Sequence, residues 1–105
     1  MKIGKRHKVK HYCKSKNEVV YILNTQYEEL HVRDIDWYTN NCDASGTVGV
    51  PCDFVRGMKK YLGCNFNSFR ACIRSSHIRI ELTGIGWNWS LQMFEEFDDF
   101  IIEEE

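Results

Sequence analysis

Three residues near the start of the chain have the chemistry of zinc ligands. His7, His11 and Cys13 lie close together in the sequence, and imidazole and thiolate groups are ligands that zinc favours. A structural site needs a fourth ligand, and no second closely spaced pair of Cys or His supplies it. The neighbouring Lys8 and Lys10 would also repel a dication. We therefore expect no metal and no other cofactor, and interpret these residues as part of a basic arm.

Thiol chemistry is a second possibility. The chain has 5 cysteines and 4 histidines, and an imidazole beside a thiol activates it as a nucleophile. The sequence does not fix which thiol lies beside an imidazole, so a small cysteine-dependent enzyme stays open as an alternative. The odd number of cysteines and the lack of a Cys-x-x-Cys pair indicate reduced thiols. The sequence contains no serine elbow, phosphate-binding loop or dinucleotide-binding glycine pattern, and we expect a protein that is not an enzyme.

Carboxylates dominate the C-terminal residues. Residues 90–105 carry seven Asp or Glu and no base, whereas residues 1–16 carry seven Lys or Arg and no acid. Apolar residues at helical spacing predict an amphipathic helix over 91–102, capped by Ser90. Its acidic face would imitate a phosphate backbone and fit a basic channel on a partner, with two tryptophans as an apolar anchor. The predicted partner-binding residues are Glu95, Glu96, Asp98, Asp99, Glu103, Trp87 and Trp89. A solvated face, or one that balances the basic arm, is the common alternative.

A basic block between residues 54 and 80 favours a different partner. Helices predicted at 53–62 and 66–75, followed by a strand and a glycine turn, would form a winged-helix-like unit with Asn65 and Ser68 facing the major groove. The residues predicted to bind nucleic acid are Arg56, Lys59, Lys60, Asn67, Arg70, Arg74 and Arg79. The acidic C-terminal residues oppose a polyanion. An ordinary helical hairpin that covers a sheet has the same pattern.

The clearest element is a strand at 77–83. Ile78, Ile80 and Leu82 fall on every second position, which places them on one face of a sheet. The alternation changes phase at Gly84, which predicts a hairpin into a strand at 85–89. The β-branched and aromatic residues of 18–23 predict another strand. For 30–37 we prefer a bulged strand paired with 18–23, although Thr25-x-x-Glu28 matches a helix capping box.

These elements predict an α+β fold with one domain over residues 1–105. A small antiparallel sheet of about four strands is covered by the helices at 53–62, 66–75 and 91–102, with a basic N-terminal arm over 1–16 and the acidic helix extending to 105. At 43% apolar residues the chain can bury a core. No stretch is apolar for long enough to span a bilayer, and the basic N-terminus lacks the apolar run of a secretory signal, so we expect a cytoplasmic protein without a membrane partner.

The predicted function is that of a non-catalytic binding protein acting by protein–protein contact. The acidic helix favours an inhibitor of a nucleic-acid-handling enzyme, of the kind that mobile elements use against host defence. The alternative is a winged-helix-like nucleic-acid-binding protein that uses the basic block.

Overall fold

The computed structural model describes residues 9–41 and 56–103. Within these ranges the chain forms two α-helices and seven strands, which pair in three small sheets. The helices are α1 (Lys16–Gln26) and α2 (Ile35–Asn41); the strands are β1 (His11–Cys13), β2 (Leu30–His31), β3 (Asn65–Phe66), β4 (Phe69–Arg74), β5 (His77–Leu82), β6 (Ile85–Ser90) and β7 (Phe100–Ile102). Three 3-10 helices cover Arg56–Tyr61, Leu91–Met93 and Glu95–Asp99. None of the helices in the described ranges is long and apolar enough to cross a membrane.

The largest sheet has the strand order β4-β5-β6 and is antiparallel. Its β5–β6 hairpin confirms the predicted strands at 77–83 and 85–89, with Gly84 turning at a φ of 80°. Ile78, Ile80 and Leu82 are buried as the alternation predicts. Leu82 pairs with Ile85 across the two-residue turn, which accounts for the change of phase in the sequence, and the register shifts between Ile80 and Leu82.

The helix predicted at 66–75 is wrong, because this segment forms β3 and β4. The β4–β5 pairing places Ala71 opposite Ile80, and both are buried. The connecting turn puts Ser75 and Ser76 at φ values of 52° and 70°, a conformation that tight hairpins usually reserve for Asn and Gly. The hairpin therefore lacks the turn signal by which a sequence reveals it.

The strand predicted at 18–23 is also wrong, since these residues lie inside α1. Ser15 caps this helix: its Oγ accepts a hydrogen bond from Glu18 N at 3.3 Å, while Glu18 Oε1 accepts one from Lys14 N at 2.9 Å. Val19 and Leu23, one helical turn apart, are buried in the core. The cap and the spacing of these two residues outweigh the β-branched composition.

Helix α1 also covers the free edge of β4 at one residue. Asn24 lies on α1, and its side chain makes two hydrogen bonds with the backbone of one strand residue. Its Nδ2 donates to Ala71 O at 2.9 Å, and its Oδ1 accepts from Ala71 N at 2.8 Å.

The bulged strand predicted at 30–37 is wrong beyond its first residues. Only Leu30–His31 pairs as a strand, and its partner is β3. The chain then enters α2, where Asp34 Oδ1 accepts a hydrogen bond from Trp37 N at 2.9 Å. An Asp that caps the first turn favours a helix over continued extension.

The helix predicted at 91–102 is replaced by two 3-10 helices and β7. Ser90 makes no side-chain capping bond, and Phe94 interrupts the segment in an extended conformation that buries its ring completely. Strand β7 pairs parallel with β1, so that Tyr12 lies opposite Ile101.

The predicted fold class is therefore wrong. A single antiparallel sheet covered by two or three helices gives way to three small sheets, one of them parallel, around a core that includes Trp89, Phe94 and Ile80. Of the helix predicted at 53–62, the structure describes residues 56–62: a 3-10 helix over Arg56–Tyr61 followed by a turn at Leu62. Residues 53–55 lie outside the described residues. Residues 1–8 of the basic arm also lie outside them, and the arm continues into β1.

Candidate functional site

Three of the predicted partner-binding residues point inward. Glu96 is only 1% exposed, and its carboxylate accepts a hydrogen bond from His31 N at 2.9 Å and lies 2.7 Å from His31 Nδ1. Asp99 is 2% exposed and accepts a hydrogen bond from Tyr27 OH at 2.7 Å. Trp89 is fully buried. Buried carboxylates need such partners, so Glu96 and Asp99 bind the C-terminal segment to the rest of the chain.

Asp98 is exposed but has an internal partner as well. The buried Arg33 guanidinium donates from Nη1 to Asp98 Oδ2 at 2.8 Å and from Nη2 to Asp98 Oδ1 at 3.2 Å. Its Nε donates to Gln92 O at 3.1 Å, and its Cζ lies 4.5 Å from the centre of the Trp37 ring. This two-pronged geometry is the one in which arginine fixes a carboxylate most firmly. Asp98 is therefore held in place while 62% of its side chain faces solvent.

These contacts bring two distant acidic segments together. Val32 forms a bridge with Phe94, and His31 and Arg33 on either side bond to Glu96 and Asp98. Residues 28–36 and 92–98 thus lie side by side. The exposed or half-exposed carboxylates of these two segments are together called the acidic surface: Glu28, Glu29, Asp34, Asp36, Glu95 and Asp98.

The acidic surface overlaps the predicted site only in part. Glu95 and Asp98 belong to both, whereas Glu103 lies beyond β7, where its backbone N donates to Cys13 O at 2.8 Å. Sequence reasoning missed the four acids of 28–36. No local signal links them to residues 92–98, because the connection depends on the buried His31–Glu96 contact and on the Arg33–Asp98 pair.

Three arginines of the basic block lie on one face of a sheet and do not form part of a recognition helix. Arg70, Arg74 and Arg79 lie on the outward face of the β4-β5-β6 sheet. Arg70 and Arg74 pair with Glu81 at 3.1 and 3.6 Å, and Arg79 Nη1 donates to Asn88 Oδ1 at 3.0 Å. The winged-helix geometry is wrong because the predicted recognition helix is a strand.

The remaining predicted nucleic-acid-binding residues precede β4 in the chain. Asn67 is exposed between β3 and β4. Lys59 and Lys60 lie in the 3-10 helix Arg56–Tyr61, and each ammonium lies 5.3 Å from an aromatic ring, that of Tyr38 and of Tyr61 respectively. The side chain of Arg56 lies outside the described part of the chain.

Trp87 is the exposed member of the predicted tryptophan anchor. Its backbone has a φ of 70°, which is rare for a bulky residue. Its indole packs over Gly57, where an added Cβ would lie 2.8 Å from Cη2, and its ring centre is 6.2 Å from that of Tyr61. The side chain is nevertheless 46% exposed.

The cysteines and the candidate zinc ligands lie partly within the described residues. Cys13, Cys64 and Cys72 are free thiols. Burial, and secondarily the nearby Glu18 carboxylate, raise the pKa of the Cys13 thiol above its ordinary value, which is opposite to the shift of an activated nucleophile. Cys42, Cys52 and His7 lie outside the described residues. Within the ranges 9–41 and 56–103, no group of three His, Cys, Asp or Glu could hold a metal ion.

Comparisons with protein-family models, with curated proteins and with solved structures find no match to this chain. The geometry of its own residues is therefore the basis for inferring a function.

Proposed function

We propose that this chain is a binding protein that docks on a basic partner protein through the acidic surface. The observation that carries the proposal is that residues 28–36 and 92–98, which bear these exposed carboxylates, lie side by side. Summed negative charge of this kind attracts a positively charged partner over distance and orients its approach.

The buried side chains that bond to residues of the acidic surface and its neighbours favour a recognition role. Arg33 is buried and pairs with Asp98, so its charge offsets one carboxylate and presents no cation to solvent. The buried Glu96 carboxylate accepts a hydrogen bond from His31 N and contacts the His31 imidazole, which fixes His31 in position. Side chains and backbone fixed before binding lose less conformational entropy when the partner arrives.

The chemistry of the partner follows from the negative charge of the acidic surface and from the arrangement of its carboxylates. A row of Lys and Arg side chains that normally binds phosphates also binds carboxylates that are held at fixed positions. The partner class we propose is a nucleic-acid-handling enzyme whose basic channel the acidic surface occupies, with inhibition as the outcome. An anti-defence role in a mobile element is the setting in which such an inhibitor works.

Charge reversal in the acidic surface tests this function. Glu28 and Asp36 are exposed, and replacing both with Lys should leave the fold intact and abolish capture of the partner from a cell lysate. Glu103→Lys is the matched control, because it reverses an exposed acid outside the acidic surface.

The captured partner allows a kinetic test with purified components. The wild-type association rate should fall steeply as salt rises, and Glu28→Lys with Asp36→Lys should slow association and weaken that dependence. If the reversed variant captures the same proteins with the same affinity as Glu103→Lys, the proposal is wrong.

A further inference from the structure

The backbone of Trp87 is unfavourable and its side chain is not used to fill the core. A φ of 70° is costly for a bulky residue, yet the indole is 46% exposed, whereas Trp89 two residues later is fully buried. Trp87 lies in the stretch of β6 where the register with β5 shifts, and residues in such conformations cluster at ligand-binding sites. Burial of the ring therefore does not account for this conformation.

The surroundings of Trp87 hold its ring firmly from one side. A Cβ on Gly57 would lie within 3.2 Å of Cε2 and 2.8 Å of Cη2 of the indole, so only glycine allows the ring to approach this backbone. Tyr61 contacts the same indole edge-on, at an interplanar angle of 63°. The ring is thus positioned before any ligand arrives, and its exposed part is available for stacking.

Two cations lie near this ring through its neighbours. Lys60 Nζ lies 5.3 Å from the centre of the Tyr61 ring, and Arg79 bonds to Asn88, the residue that follows Trp87. Arg79 continues into the outward sheet face with Arg74 and Arg70. On the outward positions of β4 and β5, which are all described, Glu81 is the only acid.

We propose that Trp87, Lys60 and the arginines of the sheet face form a binding site for single-stranded nucleic acid. A presented aromatic ring beside cations is the combination that stacks an unpaired base while it contacts the phosphates on either side. In a duplex the bases are already stacked and paired, so a ring fixed in this way has no base face to contact. This site is separate from the acidic surface and does not depend on the function proposed for it.

Fluorescence anisotropy with a labelled oligonucleotide of mixed sequence tests the site. Single-stranded DNA and RNA are compared with a duplex of the same sequence, at low and at high salt. Binding should favour the single strands, weaken as salt rises, and quench tryptophan emission. Comparing DNA with RNA identifies which single strand binds more tightly.

Substitutions locate the binding. Trp87→Ala should weaken single-strand binding by about 5- to 150-fold, which is the loss expected for one stacked base. Tyr21→Ala is the control, because Tyr21 is an aromatic residue on α1 that is even more exposed, at 65%, and its loss should leave binding unchanged. Gly57→Ala should reproduce part of the Trp87→Ala loss by displacing the indole. Arg79→Ala should reduce the salt dependence.

Folding is checked by circular dichroism and thermal melting of each variant. Trp87→Gly provides a second test if the alanine variant does not fold, because glycine tolerates the positive φ. No binding of single strands at low salt, equal binding of the duplex, or equal losses from Trp87→Ala and Tyr21→Ala would overturn the proposal. So would a Trp87 variant that loses a protein partner while wild-type protein binds no nucleic acid.

Discussion

The β5–β6 hairpin and the segment that follows it, residues 91–103, are stabilised by different kinds of contact. In the hairpin, neighbouring strands pair with one another, and Ile80 and Trp89 face each other inside the core. In the C-terminal segment, the ordering contacts join residues separated by 65 to 72 positions: Glu96 with His31, Asp98 with Arg33 and Asp99 with Tyr27.

The difference shows that carboxylates have opposite roles in the two regions. Glu81 in the hairpin lies on the outward face and pairs with exposed arginines. Glu96 and Asp99 are buried and bond to groups of other elements. An acidic segment is therefore not always a solvated one, since here residues 27–33 supply polar partners to the carboxylates that turn inward.

The largest expected effect is in the hairpin. Ile80→Ala removes a fully buried side chain and should lower the free energy of unfolding by about 2–5 kcal/mol, from lost transfer free energy and the cavity left behind. Urea denaturation measures this loss. Ile73→Ala is the control, because Ile73 is on the same sheet face but 36% exposed, and it should cost clearly less. Equal losses would mean that the core is not centred on Ile80.

An intermediate effect is expected from the buried carboxylate of the C-terminal segment. Glu96→Ala removes the acceptor of the His31 N–H and the partner of its imidazole, and should cost about 1–3 kcal/mol because a partly buried donor loses its hydrogen bond. Glu96→Gln keeps the size and an acceptor oxygen, and should retain much of that stability. If both variants melt like the wild type, long-range polar contacts do not hold this segment.

The smallest effect is expected from the exposed carboxylate of the hairpin. Glu81→Ala removes the ion pairs with Arg70 and Arg74, and should change the free energy of unfolding by about 0.2–1 kcal/mol, since exposed pairs are weak and screened by salt. The same denaturation experiment at low and high salt checks it. A loss as large as that of Glu96→Ala would remove the distinction between the two regions.

The same distinction explains what could be predicted from the sequence. The hairpin was predictable because alternation is a local signal that one strand carries by itself. The sequence of β4 is compatible with a helix as well, because residues four apart, such as Arg70 and Arg74, share a face in both kinds of element. For α1, the sequence contains the Ser15-x-x-Glu18 cap, but the β-branched residues of 18–23 are typical of a strand and hide this signal.

The candidate sites were less accessible to prediction than the elements. The sequence marks Trp87 as a candidate anchor, but neither its positive φ nor the approach of its ring to Gly57 follows from residue types. The acids of 28–36 give no sign that they face residues 95–98. Both features depend on tertiary contacts between segments far apart in the chain.

The contact between Asn24 and Ala71 has a consequence for how the protein behaves at high concentration. The free edge of a sheet is a template on which another chain can add a strand. Beside Ala71 on the free edge of β4, the place of an added strand is already occupied, because the carboxamide of Asn24 bonds to both the N–H and the C=O of Ala71. The amide behaves like one residue of an additional strand that goes no further. Helix α1 thus prevents the central sheet from growing into an intermolecular one along this edge at Ala71.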